Sequence, residues 1–254
     1  MNGLLALDIG NSRIKAGLFL EDKLHAVEYL AFTDNVQDYI SFWCDKYSLS
    51  ALAYTNVHAR PTARLFTQKQ FPGLRIWEIT SLTPAPIHNA YRYPAQLGTD
   101  RFVASVAARY RTPQSAILVV DIGTAITYDF TDRQGFFRGG AIAPGIDLRF
   151  RALHQFTARL PFVRWDYEKE PEIIGNETQS GILSGVVQGV MHEIAGMIRS
   201  YHAKAGEDFV TFATGGGSQA LAGLLPDVIN HHEPNLVLEG IYHLYKFNEQ
   251  TLVG

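Results

Sequence analysis

Two near-identical phrases limit what this chain can fold into. Leu4-Leu5-Ala6-Leu7-Asp8-Ile9-Gly10-Asn11-Ser12 and Ile117-Leu118-Val119-Val120-Asp121-Ile122-Gly123-Thr124-Ala125 are each an apolar run that ends in Asp-Ile-Gly and a small polar residue. They stand 113 positions apart, from Asp8 to Asp121. The repeat points to one fold unit used twice, each first strand ending in a carboxylate and a tight turn. Two such tips facing each other would make a cleft for phosphates and a metal ion.

The residues after each phrase narrow the choice. After the first, Ile14, Ala16, Leu18 and Leu20 alternate with Arg13, Lys15, Gly17 and Phe19, the period of a strand. Glu21-Asp22 makes a turn, and Leu24, Ala26 and Glu28-Tyr29 read as a third strand. After the second, Ile126, Tyr128 and Phe130 alternate, Asp132-Arg133-Gln134-Gly135 turns, and Phe136-Phe137 leads into Gly139-Gly140-Ala141-Ile142. Both halves therefore read as three-stranded antiparallel meanders. A P-loop needs Gly-x-x-x-x-Gly-Lys-Ser/Thr between strand and helix, which this chain lacks. A Rossmann turn also leads from strand into helix, whereas here the turn feeds another strand.

Helices are expected over Val36 to Lys46, Thr62 to Gln70, Arg101 to Arg111, Gln179 to His202, Ser218 to Leu225 and Glu239 to Asn248. Ile182, Val186, Val190, Ile194 and Ile198 give the fourth its near-helical spacing. Thr112-Pro113-Gln114 marks a boundary, so the domains are expected at 1–114 and 115–254, with the last helix able to pack back on the first.

The 254 residues suffice for one large or two medium domains. A composition of 46% apolar and 19% charged residues is ordinary for a globular chain. The net charge of −3 gives no reason to expect nucleic acid. Cys44 is the only cysteine, which excludes an intrachain disulfide and a cysteine metal cluster. Met1-Asn2-Gly3-Leu4 lacks the basic stretch of a signal peptide, and no uninterrupted apolar run approaches the roughly 20 residues of a membrane span. A cytoplasmic location is expected, without a membrane partner.

Four constellations could carry chemistry. In the first, Gly10 would let backbone N–H groups approach phosphate oxygens, Asn11 and Ser12 would add donors, and Lys15 comes next along the second strand. Asp8 could hold Mg²⁺ directly or through water; the competing reading is a plain hairpin turn. In the second, Asp121 could take a cation and Thr124 a phosphate, with Gly123 and Thr127 beside them. An apolar strand has little reason to end in a carboxylate unless its charge is compensated. In the third, Gly98-Thr99-Asp100-Arg101 precedes a helix. Asp100 could be a general base and Arg101 an anion partner, or Thr99 or Asp100 could simply cap the helix. The fourth, Thr214-Gly215-Gly216-Gly217-Ser218, comes after the strand Phe209 to Ala213 and opens a helix; it suits a nucleotide lying against backbone, or is only a tight connection.

Other features read more plainly. Gly139 to Gly145 lines a cleft floor or shapes the chain. Gly181, Gly185 and Gly189 share one face of the long helix, where packing, including a subunit contact, is expected. His231-His232 has no ligand pattern around it and reads as a solvated loop.

Taken together, these motifs resemble type III pantothenate kinase, of the acetate kinase–hexokinase–actin-like superfamily, from Asp8 to about Ser218. The resemblance rests on Asp8 to Ser12 with Lys15, Gly98 to Arg101, Asp121 to Thr127 and Gly139 to Gly145; Thr214-Gly215-Gly216 matches more loosely. It implies an α/β fold of two ribonuclease H-like (actin-like ATPase) domains around a central cleft. It also implies ATP-dependent phosphorylation of pantothenate to 4'-phosphopantothenate, the first step of coenzyme A biosynthesis. By the same resemblance, Asp8, Gly10, Asn11, Ser12 and Lys15 hold ATP phosphates, with Asp8 near Mg²⁺, and Thr124 contacts ATP. Asp100 is the base. Tyr91, Gly98, Thr99, Asp100, Arg101 and Thr178 contact pantothenate, and Asp121 binds a monovalent cation, K⁺ or NH₄⁺. A homodimer is implied too. One departure is Tyr93-Pro94, where the family often has Asn-Pro. The rival expectations are another small-molecule kinase of the superfamily and an inactive accessory protein on the same fold.

Overall fold

The computed structural model describes residues 3–32, 34–58 and 66–249. The chain divides into two units, Met1–Pro113 with Gly135–Arg138 and Asn235–Gly254, and Gln114–Gln134 with Gly139–Pro234.

In the first unit, β1 (Gly3–Ile9), β2 (Ile14–Leu20) and β3 (Lys23–Leu30) form an antiparallel meander. Helix α1 (Val36–Lys46) then returns the chain to β4 (Leu49–Asn56), parallel to β1, and β5 (Arg75–Glu78) lies parallel to β4. The sheet order is β3-β2-β1-β4-β5. A strand with neighbours on both edges and layers on both faces has no solvated side, so it reads as a continuous apolar run rather than an alternation. Leu4, Leu5, Ala6 and Leu7 are accordingly all buried. Leu5, Leu7 and Ile9 share a core with Ile40 of α1, Leu52 and Tyr54. Helices α2 (Thr99–Arg111) and α6 (Leu236–Asn248) complete this unit and pack closely: a Cβ on Gly240 would fall 2.1 Å from the Val103 carbonyl oxygen. The short strand β6 (His88–Asn89) pairs with Phe136 and Phe137. The helix expected over Thr62 to Gln70 lies mostly outside the described residues; Phe66 to Gln70 form a bend and a turn.

The second unit repeats the plan. Strands β7 (Ala116–Ile122) and β8 (Ala125–Thr131) are antiparallel and lead to β9 (Phe136–Pro144), whose residues from Gly139 onward belong here. Helices α3 (Ile146–Gln155) and α4 (Thr178–Ala205) come next, then β10 (Phe209–Thr214) parallel to β7, α5 (Ser218–Leu224) and β11 (His231–His232) parallel to β10. Apart from the short β6 at the edge beside β9, the order β9-β8-β7-β10-β11 matches β3-β2-β1-β4-β5. The doubled phrase thus marks a doubled topology.

Helix α4 is long and apolar enough to cross a membrane. Here Ile182, Val186, Val187, Val190, Ile194 and Ile198 bury its apolar stripe in the core beneath β7 and β8. Its start is fixed by a capping box between Glu177 and Ser180, and its end by Gly206 at φ 71.

Candidate active site

Asp8 is the last polar side chain of β1. Lys15 faces it across the antiparallel pair, and Thr55 across the parallel one. Thr55 is fully buried and its Oγ1 donates to Asp8 Oδ1 at 3.3 Å. The Asp8 carboxyl is pushed up to about 6, first by burial and then by the negative charge of Asp100; Thr55, Lys15 and Arg13 pull it back. The influence of Asp100 shows that the two carboxylates share one neighbourhood. Beyond Asp8 the chain turns tightly, the Gly10 N–H donating to the Arg13 carbonyl at 3.2 Å. This leaves Asn11, Ser12 and Arg13 exposed at the tip.

Asp100 sits inside the first turn of α2. The helix begins at Thr99, two residues before the expected start, and Gly98 is its N-cap with no side-chain capping bond. Thr99 and Asp100 are therefore not the cap. Instead the Asp100 carboxylate folds back, and Oδ1 accepts the Arg101 N–H at 2.9 Å. Burial pushes this carboxyl up; the Arg101 backbone and guanidinium oppose that. Gly98 makes room for it, since a Cβ there would lie 2.7 Å from Asp100 Oδ1. Arg101 is buried, and its guanidinium carbon lies 5.9 Å from the centre of the Tyr91 ring. The preceding loop is pinned: the Tyr91 N–H donates to Asn89 Oδ1 at 3.1 Å, Asn89 Nδ2 to the Ser81 carbonyl at 2.9 Å, and Ser81 Oγ to the Pro94 carbonyl at 2.8 Å. Five expected site residues, Asp8, Lys15, Tyr91, Asp100 and Arg101, thus converge through contacts within one unit.

Asp121 occupies on β7 the position of Asp8 on β1. Thr127 and Thr214 are its cross-strand neighbours. Thr127 Oγ1 donates to the buried Asp129 at 2.9 Å. Thr124 is exposed in the β7–β8 turn, and its carbonyl accepts the Gly145 N–H at 3.0 Å. That explains the Gly139 to Gly145 motif: a Cβ on Gly145 would fall 2.3 Å from the Gly123 oxygen, and one on Gly140 1.5 Å from the Tyr128 oxygen. The Gly215 turn lies against the same tip, with the Gly217 N–H donating to the Ile122 carbonyl at 2.9 Å. Thr178 is exposed at the first residue of α4.

The donor sets fit different ions. Near Asp8 there are two carboxylates, and among the described residues no group of three or more His, Cys, Asp or Glu could hold a metal. Mg²⁺ keeps several waters and binds through one or two carboxylates plus substrate phosphates, so Asp8 and Asp100 suit a metal that arrives with a nucleotide. Around Asp121 the cross-strand neighbours are Thr214 and Thr127, whose hydroxyl is engaged by the buried Asp129, an all-oxygen set that fits a hard cation.

Sequence reasoning missed Thr55 because it lies 47 residues from Asp8; a signal was there in Ala51-Leu52-Ala53-Tyr54, a second apolar run ending in polar residues. The solvated loop expected at His231-His232 is corrected: the pair forms β11, and His232 is partly buried against Ser218.

A sequence model described as type III pantothenate kinase matches residues 4–200. The type III pantothenate kinase of Bacteroides fragilis is 36% identical over 244 residues, covering 96% of this chain and 98% of that protein. That of Flavobacterium johnsoniae is 35% identical over 247 residues, with 96% and 98% covered. Among solved structures, the ROK hexokinase of Thermus thermophilus is similar at a TM-score of 0.54 and 12% identity, covering 98% of this chain and 99% of that one. A Campylobacter jejuni protein described as a conserved Baf-family transcriptional activator reaches 0.63 at 20% identity, covering 97% and 99%. These two likenesses show the α/β fold alone. The relatives, together with the match over residues 4–200, establish more: the chain belongs to the type III pantothenate kinase family.

Proposed function

We propose that this protein is an ATP-dependent kinase that phosphorylates pantothenate to 4'-phosphopantothenate, the first step of coenzyme A biosynthesis. Beyond family membership, one observation carries the assignment of the chemistry: Asp100 is held at the start of α2, beside Arg101 and within electrostatic reach of Asp8.

Phosphoryl transfer depends on positioning and charge neutralisation more than on covalent steps. Asp100 accepts the hydrogen bond of the pantothenate primary hydroxyl and aims its oxygen at the γ-phosphorus. In a loose transition state the proton leaves late, so orientation is the larger part of its task. Its partial burial limits the water that competes for the carboxylate. Gly98, Thr99, Arg101 and Tyr91 line the pantothenate side, the aromatic ring and the guanidinium together favouring an amide-rich acid; the family resemblance gives Thr178 a pantothenate contact as well. Gly10, Asn11, Ser12 and Lys15 take the ATP phosphates. Asp8, with Asp100 nearby, would hold Mg²⁺, which supplies charge neutralisation on those phosphates when bound. On the second unit, Thr124 contacts ATP, and Asp121 would hold K⁺ or NH₄⁺.

The exposed glycines of α4 support a homodimer. A Cβ on Gly181, Gly185 or Gly189 would meet nothing within 4 Å in the chain's own structure, so that face is open to a second copy. A cytoplasmic enzyme is in keeping with α4 serving as a core helix. The test is an assay with pantothenate, ATP and Mg²⁺, with and without K⁺. Phosphorylated pantothenate is the expected product; transfer to a sugar but not to pantothenate would overturn the reading.

A further inference from the structure

His232 takes no part in the phosphoryl transfer itself, yet it is tied to the site. It pairs with Ala213 in β11, and its Nε2 lies 2.9 Å from Ser218 Oγ. Ser218 is fully buried and donates its hydroxyl proton to the Gly215 carbonyl at 2.6 Å. A hydroxyl has one proton and two acceptor sites, so with that proton committed the ring must be the donor, as Nε2–H. A serine nucleophile needs the reverse arrangement, with histidine accepting the proton. The pair is therefore not a catalytic dyad.

The Gly215 carbonyl also accepts the Ser218 N–H at 3.2 Å. Gly215 has φ 91, and a Cβ there would lie 2.2 Å from Asp121 Oδ1 and within 2.8 Å of two Ile122 backbone atoms. The turn is thus laid directly on the Asp-Ile-Gly tip. Three consecutive glycines have the largest backbone entropy to lose. A turn so composed holds one shape only if something outside it does the fixing. At its C-terminal end the anchors are the Gly217 N–H bond to the Ile122 carbonyl and Ser218, and His232 holds Ser218.

We propose that His232 is a positioning residue: through Ser218 it fixes the Gly215 carbonyl, and so the seating of the glycine turn against Asp121. The inference rests on the reading of the Asp121–Thr124 tip as the nucleotide and cation end.

The test compares His232→Ala, Ser218→Ala and His232→Gln with the unaltered enzyme. It measures ADP affinity by calorimetry, KM for ATP and for pantothenate, and Tm. Loss of the hydrogen bond is expected to weaken ADP binding and raise the ATP KM about tenfold in both alanine variants, while the pantothenate KM stays within about twofold. His232→Gln, whose amide can donate in place of Nε2–H, is expected to recover most of the loss. Unchanged ADP affinity in His232→Ala, an equal rise in both KM values, or a glutamine variant no better than alanine would each overturn the proposal. Should His232→Ala not fold, Ser218→Ala carries the same test from the other end of the bond. Asp121→Asn separates the two readings. If it too leaves ADP affinity and cation response unchanged, the assignment of the tip fails. If it loses both while His232→Ala does not, the positioning role alone fails.

Discussion

Thr55 Oγ1 donates to Asp8 Oδ1 at 3.3 Å across the parallel pairing of β1 and β4. A neutral hydroxyl satisfies one acceptor site but cancels no charge. With burial and Asp100 acting against ionisation, the Asp8 carboxyl is left at about 6. The position is electrostatically unfavourable without a cation and favourable with one, which is the property a phosphate-borne metal needs in its protein ligand.

Asp8→Asn is therefore expected to stabilise the fold while abolishing activity. The folded pKa, about 6, lies above the ordinary 3.8. The stabilising proton is fully held below about 4 and lost as pH rises through about 6, so the unaltered protein carries its full penalty above that pH. After a discount for partial solvent contact, removing the charge recovers roughly 1–2 kcal/mol. Thermal melts across pH check this: the Tm advantage of the variant should be a few degrees near pH 8 and vanish near pH 4. An advantage that grows toward acid pH would contradict the assignment.

Asp100→Asn is expected to lower kcat by about two to four orders of magnitude with the fold retained. Gly98→Ala should act through the same group, because its Cβ would fall 2.7 Å from Asp100 Oδ1 and swing the carboxylate aside. Steady-state kinetics beside circular dichroism would check both; near-normal turnover in Asp100→Asn removes this residue from the mechanism.

Exchange of K⁺ or NH₄⁺ for Na⁺ is expected to depress activity about tenfold or more, and Asp121→Asn to abolish the difference between the cations. Turnover in chloride salts of the three ions, at constant ionic strength, is the measurement. Indifference of the unaltered enzyme to the exchange would refute the role given to Asp121.

Gly185→Gln and Gly189→Gln separate fold from assembly. Each replaces a mid-helix glycine whose side-chain direction is open within the chain, so helix propensity alone favours the variant by about 0.5–1 kcal/mol. In a homodimer seated on that face the same change weakens association. Sedimentation should show a larger monomer fraction; an unchanged mass with a raised Tm would mean the face is free.

The secondary structure was largely legible because local pattern dictates it. Val36–Lys46 has the expected bounds, and both meanders come from period-2 alternation after each Asp-Ile-Gly. Helix α2 starts earlier than its alanine-rich stretch suggests, because Gly98 supplies the cap and Thr99 and Asp100 continue into the helix. Strand β4 was not legible as the partner of β1, since a parallel pair is joined through a helix and leaves no turn signature.

By itself, the sequence determined the doubled fold unit, with Asp8 and Asp121 each close to the end of an apolar strand. Apolar runs, turn glycines and carboxylates at strand ends are local facts, and they survive any arrangement of the rest. Tertiary structure alone decided which groups act on them. Thr55 reaches Asp8 from 47 residues away, Asp100 raises Asp8 from another element, and His232 steadies Gly215 through Ser218. Hydrogen bonds and carboxylate repulsion fall off within a few ångströms, so they depend on distances in space that only the folded sheet sets.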